Sequence, residues 1–191
     1  MVADRSVALG EAVVASLRGN GEEAVFVALD VAKEASVQNC VDFAVKAFGG
    51  LDCAVNAAGI TGPFGPANET SLEGWNQKMS IDLTGCLMFT KAVVNYWLTQ
   101  ERRILRDDAE LGLPPVTQRG ALVNVASFNG LYASKNMVSH GKFDISVPLI
   151  RTNLTVILVA AKHGVNGISK TFAYELATEG IRVSELVQDD I

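Results

Sequence analysis

The sequence predicts an α/β fold, a doubly wound parallel sheet in a three-layer α/β/α arrangement. Three observations predict it. Residues 24–29, 51–55 and 121–125 are short, mainly apolar runs rather than regularly alternating ones, as in strands buried on both faces. Stretches of helical period separate them, which makes the connections crossovers and the strands parallel. Each run also ends on polar or small residues (Asp30, Asn56, Ala126-Ser127), at the strand ends where ligands of such sheets sit.

In chain order, residues 1–4 read as the tail of a strand. Residues 6–18 show helical spacing at Leu9, Val13 and Leu17, and Gly19-Asn20-Gly21 stops the helix. After the strand at 24–29, a helix over 36–48 gathers Val37, Val41 and Val45 on one face and ends at Gly49-Gly50. Residues 51–55 form a third buried strand, and a loop over 60–68 carries Gly62, Pro63, Gly65 and Pro66. Thr70 with Glu73 makes a capping box for a long helix running through Trp75 to about Gln100. Residues 101–119 are charged, include Pro114-Pro115 and read as a mobile surface excursion. The strand at 121–125 then turns at Ala126-Ser127, and a helix from Ala160 carries Lys162. A serine just past a strand end and a lysine on the next helix are placed to share a site. That helix turns Val165, Ile168, Phe172 and Leu176 inward, Gly180 stops it, and Ile181 opens another strand.

With 191 residues the chain suits one domain over 1–191, without repeat or linker. The net charge of −5 and the lack of a basic run argue against nucleic acid or an anionic membrane as partner. No signal segment opens the chain and no apolar run approaches the ~18 residues needed to span a bilayer, so a soluble, cytoplasmic protein is expected. Cys40, Cys53 and Cys86 are odd in number and sit in apolar or helical surroundings, which reads as core thiols in a reducing compartment. No metal site is expected, and a homo-oligomer stays open.

Four features together resemble the short-chain dehydrogenase/reductase family over nearly the whole chain: Asp30-Val31, Asn56-Ala57-Ala58-Gly59, Asn124-Val125-Ala126-Ser127, and Lys162 followed by His163-Gly164-Val165 and the helix to Gly180. The resemblance implies a Rossmann-type sheet and an NAD(P)-dependent oxidoreductase acting on a hydroxyl or keto group of a small alcohol or ketone. Asp4 closes the strand where a carboxylate can bond the adenosine ribose hydroxyls and repel a 2′-phosphate, favouring NAD; Arg5 beside it could pair with that phosphate, so NADP stays open. By resemblance Asp30 and Val31 lie near the adenine, and Asn56, Ala57, Ala58 and Gly59 form a turn close to the cofactor. In the family a serine orients the substrate oxygen, a tyrosine is the acid/base, and a lysine lowers the tyrosine pKa and holds the ribose. Ser127 matches the serine and Lys162 the lysine.

The chain departs from that pattern in four ways. The opening strand and its glycine-rich phosphate loop are absent, so the sheet is incomplete. In the 3-2-1-4-5-6 order that strand is central, and its loss leaves the strands at Met1 and Leu51 without a shared neighbour. Asp82 stands where the family has a relay asparagine. The C-terminal strand, cofactor loop and substrate lid are missing. Finally, Leu158 occupies the tyrosine's place four residues before Lys162, and Ser127 and Lys162 are 35 positions apart, about twice the family spacing. Removing residues 141–158 restores the spacing and puts His140 in the tyrosine's place. Tyr132-Ala133-Ser134-Lys135 imitates the motif one residue too short and too near Ser127. The segment 141–158 lacks helical period and back-translates around splice signals: GTAAGT within Gly141-Lys142-Phe143, a branch sequence near Asn153, and TAG at Leu158-Val159. It is read as a foreign insertion, a translated in-frame intron, with a genuine surface insertion as the alternative. Two readings of function follow: an NAD(P)-dependent oxidoreductase, or a non-catalytic relic or binding module that keeps part of the sheet but has no working cofactor site.

Overall fold

A computed structural model of the chain describes residues 1–61, 67–106, 110, 114–132 and 156–187. The first unit is β1 (Val2–Asp4), α1 (Val7–Gly19) and β2 (Phe26–Ala28), with β1 and β2 paired in parallel. Helix α2 (Glu34–Phe48) leads to β3 (Cys53–Asn56). A nearly continuous helical run follows: α3 (Leu72–Lys78), a π-helical segment (Met79–Thr84) and α4 (Gly85–Thr99). Strands β4 (Arg103–Arg106) and β5 (Val116–Gln118) pair antiparallel, and β6 (Gly120–Val125), α5 (Val156–Leu176) and β7 (Ile181–Leu186) complete the described chain.

The expected parallel pairing of the runs at 51–55 and 121–125 is present: β3 lies beside β6 with Asn56 opposite Asn124, and β7 pairs parallel on the far side of β6. The sheet is split between β1 and β3. Among the described residues β1 pairs with β2 alone and β3 with β6 alone. The main core packs Val37 and Val41 of α2, Phe89, Val93 and Trp97 of α4, Leu122 of β6, and Ile181 and Val183 of β7. Trp97 is fully buried and its indole N–H donates to the Leu51 carbonyl at 2.6 Å, tying α4 to the start of β3.

Helix α1 buries Gly10 and Val14, while the regularly spaced Leu9 and Val13 are exposed. It docks through the glycine, where a Cβ would stand 2.0 Å from the Phe26 ring, so the closest face is one that hydrophobic spacing could not mark. Several expectations need correction. The run at 51–55 is not buried on both faces. Ala54 and Asn56 point to the core side, whereas the alternate residues Cys53 and Val55 are exposed (Val55 64 %). Cys53 is therefore no core thiol, unlike Cys40 and Cys86. Ser71, not Thr70, caps α3, its hydroxyl accepting from Gly74 N–H at 3.1 Å. Within 101–119 the described residues form the β4–β5 pair, anchored where Arg119 donates to the carbonyls of Leu98, Gln100 and Glu179. Helix α5 begins at Val156, before the expected Ala160. The last three residues of the segment 141–158 are thus helical, because Ile157 continues the buried stripe of Ala161 and Val165.

Candidate functional site

A cavity of about 640 Å³ opens at the carboxyl ends of β1, β2 and β3. Asp4, Arg5, Asp30, Val31 and the turn Asn56-Ala57-Ala58-Gly59 all line it, so every sequence-derived cofactor candidate except Lys162 meets there. The cavity runs on between β1 and β3, past Ala3, Ala54 and the α2 residues Cys40 and Ala44, along the gap in the sheet. Its volume falls within the range of small-molecule and cofactor sites. Part of that volume is the gap itself.

Each carboxylate is held by its own local turn. One Asp4 oxygen accepts the Ser6 N–H at 2.7 Å, and Ser6 in turn caps α1, so Asp4 is fixed at the end of β1. Asp30 bonds Lys33 at 3.1 Å and accepts the Ala32 N–H, and these contacts hold its carboxyl below the usual range. Val31 is buried, and a Cβ on Gly85 would stand 2.9 Å from its side chain, so the glycine lets α4 approach the loop after β2. Asn56 does not aim its amide into the cavity. Its Oδ1 accepts the Ala58 N–H and its Nδ2 donates to Asn124 Oδ1 at 3.3 Å. Asn124 Nδ2 donates onward to Ser169 Oγ at 3.0 Å and to Thr90 Oγ1 at 3.3 Å, so one buried amide joins the ends of β3 and β6 to α4 and α5.

The second cluster lies past β6. Ser127 is buried, and its hydroxyl oxygen accepts from the Asn129 N–H at 3.1 Å and from the Asn129 side-chain amide at 3.3 Å. That bonding shapes the 3₁₀ turn Phe128–Gly130. A Cβ on Gly130 would stand 2.8 Å from the Lys162 carbonyl, so the turn and α5 are in direct contact. Lys162 Nζ donates to the Val125 carbonyl at 2.9 Å. Ser127 and Lys162 thus share one corner at the end of β6. Leu158 sits in the first turn of α5, one helical turn before Lys162. His140 lies outside the described residues, as do residues 141–155. Tyr132 of the imitating motif is exposed.

Sequence reasoning missed two groups. The Asn56–Asn124–Thr90–Ser169 network shows in the sequence only as an asparagine at the equivalent place of two neighbouring strands. The other is Lys78, fully buried against Asp82; its signal was an opposite-charge pair at helical spacing. Among the described residues no group of His, Cys, Asp or Glu could hold a metal ion, and no helix is long and apolar enough to cross a membrane.

A sequence model described as short chain dehydrogenase matches residues 1–141. The chain is 28 % identical over 189 residues to a 2,5-dichloro-2,5-cyclohexadiene-1,4-diol dehydrogenase of Sphingobium indicum, covering 98 % of this chain and 60 % of that protein. It is 29 % identical over 188 residues to a cyclohexanol dehydrogenase of an Acinetobacter species, again covering 97 % of this chain and 60 % of that one. Among solved structures, an NAD⁺-bound xylitol dehydrogenase superimposes with a TM-score of 0.75 at 26 % identity, covering 98 % of this chain and 58 % of its own. The chain thus spans about 60 % of the length of the curated relatives it matches.

Proposed function

Because the chain belongs to the short-chain dehydrogenase/reductase family, we propose that it is the greater part of an NAD(P)-dependent oxidoreductase acting on a hydroxyl or keto group of a small molecule. The observation that carries this is the meeting of Asp4, Asp30, Val31 and the turn Asn56–Gly59 around one cavity at the strand ends. These residues fit the adenosine half of a nicotinamide dinucleotide. Asp4 would accept from the ribose hydroxyls, and its charge disfavours a 2′-phosphate, which makes NAD the preferred form. Val31 and the loop after β2 would pack on the adenine.

The nicotinamide, when bound, supplies the hydride acceptor or donor. The protein's part is at the substrate oxygen, where the Ser127 hydroxyl would orient the carbonyl or alcohol. Lys162, anchored on Val125, would hold positive charge beside it. Two relatives are named for alcohols on six-membered rings, so ring alcohols and their ketones are the first substrates to assay.

A second reading, a binding module without turnover, is favoured by Leu158, which offers no proton one helical turn before Lys162. One experiment separates the two: NADH binding by fluorescence, then nicotinamide absorbance with cyclohexanol and cyclohexanone. Binding with turnover supports the oxidoreductase, and absence of both binding and turnover supports the relic or module without a working cofactor site.

A further inference from the structure

The turn after β3 is held from behind by an ion pair that the catalytic residues do not use. Lys78, the last residue of α3, and Asp82, in the π-helical segment, are 0 % and 2 % exposed, with Nζ 2.7 Å from Oδ2. Each side chain also takes one end of the same residue. Asp82 Oδ1 accepts the Ile60 N–H at 2.9 Å, and Lys78 Nζ donates to the Ile60 carbonyl. Acceptor and donor are thus offered to both backbone groups of Ile60, as a paired strand would offer them. Ile60 directly follows the turn Asn56-Ala57-Ala58-Gly59 and lines the same cavity. A Cβ on Gly59 would stand 3.5 Å from Asp82 Oδ1, so the carboxylate lies against the turn itself.

A buried ion pair is a poor stabiliser compared with apolar residues of the same volume. The pair also sits where the helix widens to π geometry, a distortion that recurs at functional sites. We infer that Lys78 and Asp82 are positioning residues, a two-pronged latch on Ile60 that fixes the cavity-lining turn and thereby sets the affinity for a nicotinamide dinucleotide. The inference rests on the cavity being the dinucleotide site.

Two neutral double variants of the full chain isolate the latch. Lys78→Met/Asp82→Leu keeps volume but offers Ile60 nothing; Lys78→Met/Asp82→Asn returns an oxygen to the Ile60 N–H. Hydrogen exchange at the Ile60 amide and NADH affinity are measured for each. The leucine variant is expected to exchange at Ile60 at least tenfold faster and to bind NADH about tenfold more weakly. Amides of β6 should stay as protected as in the parent, and the asparagine variant should recover most of both losses. Unchanged exchange at Ile60, or faster exchange with unchanged NADH affinity, overturns the latch. If the leucine variant does not fold, Lys78→Met/Asp82→Ala takes its place in the same comparison. If the parent itself binds no NADH, the cofactor reading fails and the link to affinity falls with it, while Ile60 exchange still decides whether the pair holds the turn.

Discussion

Replacing Asn124 with alanine should cost more than any surface or loop change in this chain. Asn124 is fully buried, and its amide serves Asn56, Thr90 and Ser169 at once. Deleting it strands three polar groups. A buried group left without a partner costs about 1–3 kcal/mol. The Thr90 and Ser169 hydroxyls stand on helices and can turn to a carbonyl one turn back, so each counts at the low end. The Asn56 amide is already committed to the turn through its oxygen and counts nearly in full. The sum is about 3–5 kcal/mol, a large share of the ~5–15 kcal/mol that holds a typical domain. Urea unfolding followed by tryptophan fluorescence measures it, since Trp97 lies in the same core. Ser169→Ala alone should cost about 1 kcal/mol, and the double variant should cost less than the sum, because the second deletion removes a group already stranded. A loss below about 1 kcal/mol for Asn124→Ala, or strict additivity with Ser169→Ala, would refute the network as the frame of the site.

Four further outcomes are expected. Leu158→Tyr places a phenol one turn before Lys162, and nicotinamide-linked turnover of a ring ketone should rise by ~10²-fold or more; equal rates in both chains would put the proton donor elsewhere. Asp4→Ala should narrow the gap between NAD and NADP affinities by raising the second, read by fluorescence titration, and an unchanged ratio would remove Asp4 from cofactor choice. Iodoacetamide at mildly alkaline pH should label Cys53 in the native protein and spare Cys40 and Cys86, which mass spectrometry of peptides would show. Burial pushes the Cys40 thiol up to about 11 from 9.0. The unfolded chain therefore ionises first, and Cys40 contributes stability in full below pH ~9 that is lost towards pH ~11, at up to about 1.4 kcal/mol per unit. Cys40→Ala should flatten that alkaline decline.

Much of the fold was legible because it is written in local pattern. The Val37-Val41-Val45 face, the left-handed Gly49 and Gly180 stops, and the apolar run of β6 are each fixed by a few neighbouring residues. The split of the sheet was legible too, from the strand order and the absence of one apolar run. What failed depended on partners distant in sequence. Gly10 became the contact face of α1 because Phe26 reaches it from β2, and no periodicity within α1 encodes that. Cys53 and Val55 looked like core residues, yet strand alternation turns them to the side away from the core. At the site, sequence identified which residues gather round the cavity but not how they are held. Asn56 spends its amide on Asn124, and the inferred latch on Ile60 depends on a buried lysine that the sequence motifs did not single out.

The gap between β1 and β3 also governs how the molecule comes apart. A continuous sheet transmits strain from strand to strand, so its parts melt together. Among the described residues the hydrogen-bond ladder stops at β1, and the buried members of the main core come from α2, α4, β6 and β7, with none from β1 or α1. The β1–α1–β2 unit can open while β3, β6 and β7 stay closed, since no strand pairing has to break between them. Two cooperative units in one chain give two transitions, and native-state exchange should release the amides of β1 and β2 at a lower free energy than those of β6. The carboxylate best placed to choose between cofactors, Asp4, rides on the looser unit, so ligand that grips it would also fasten the two halves into one.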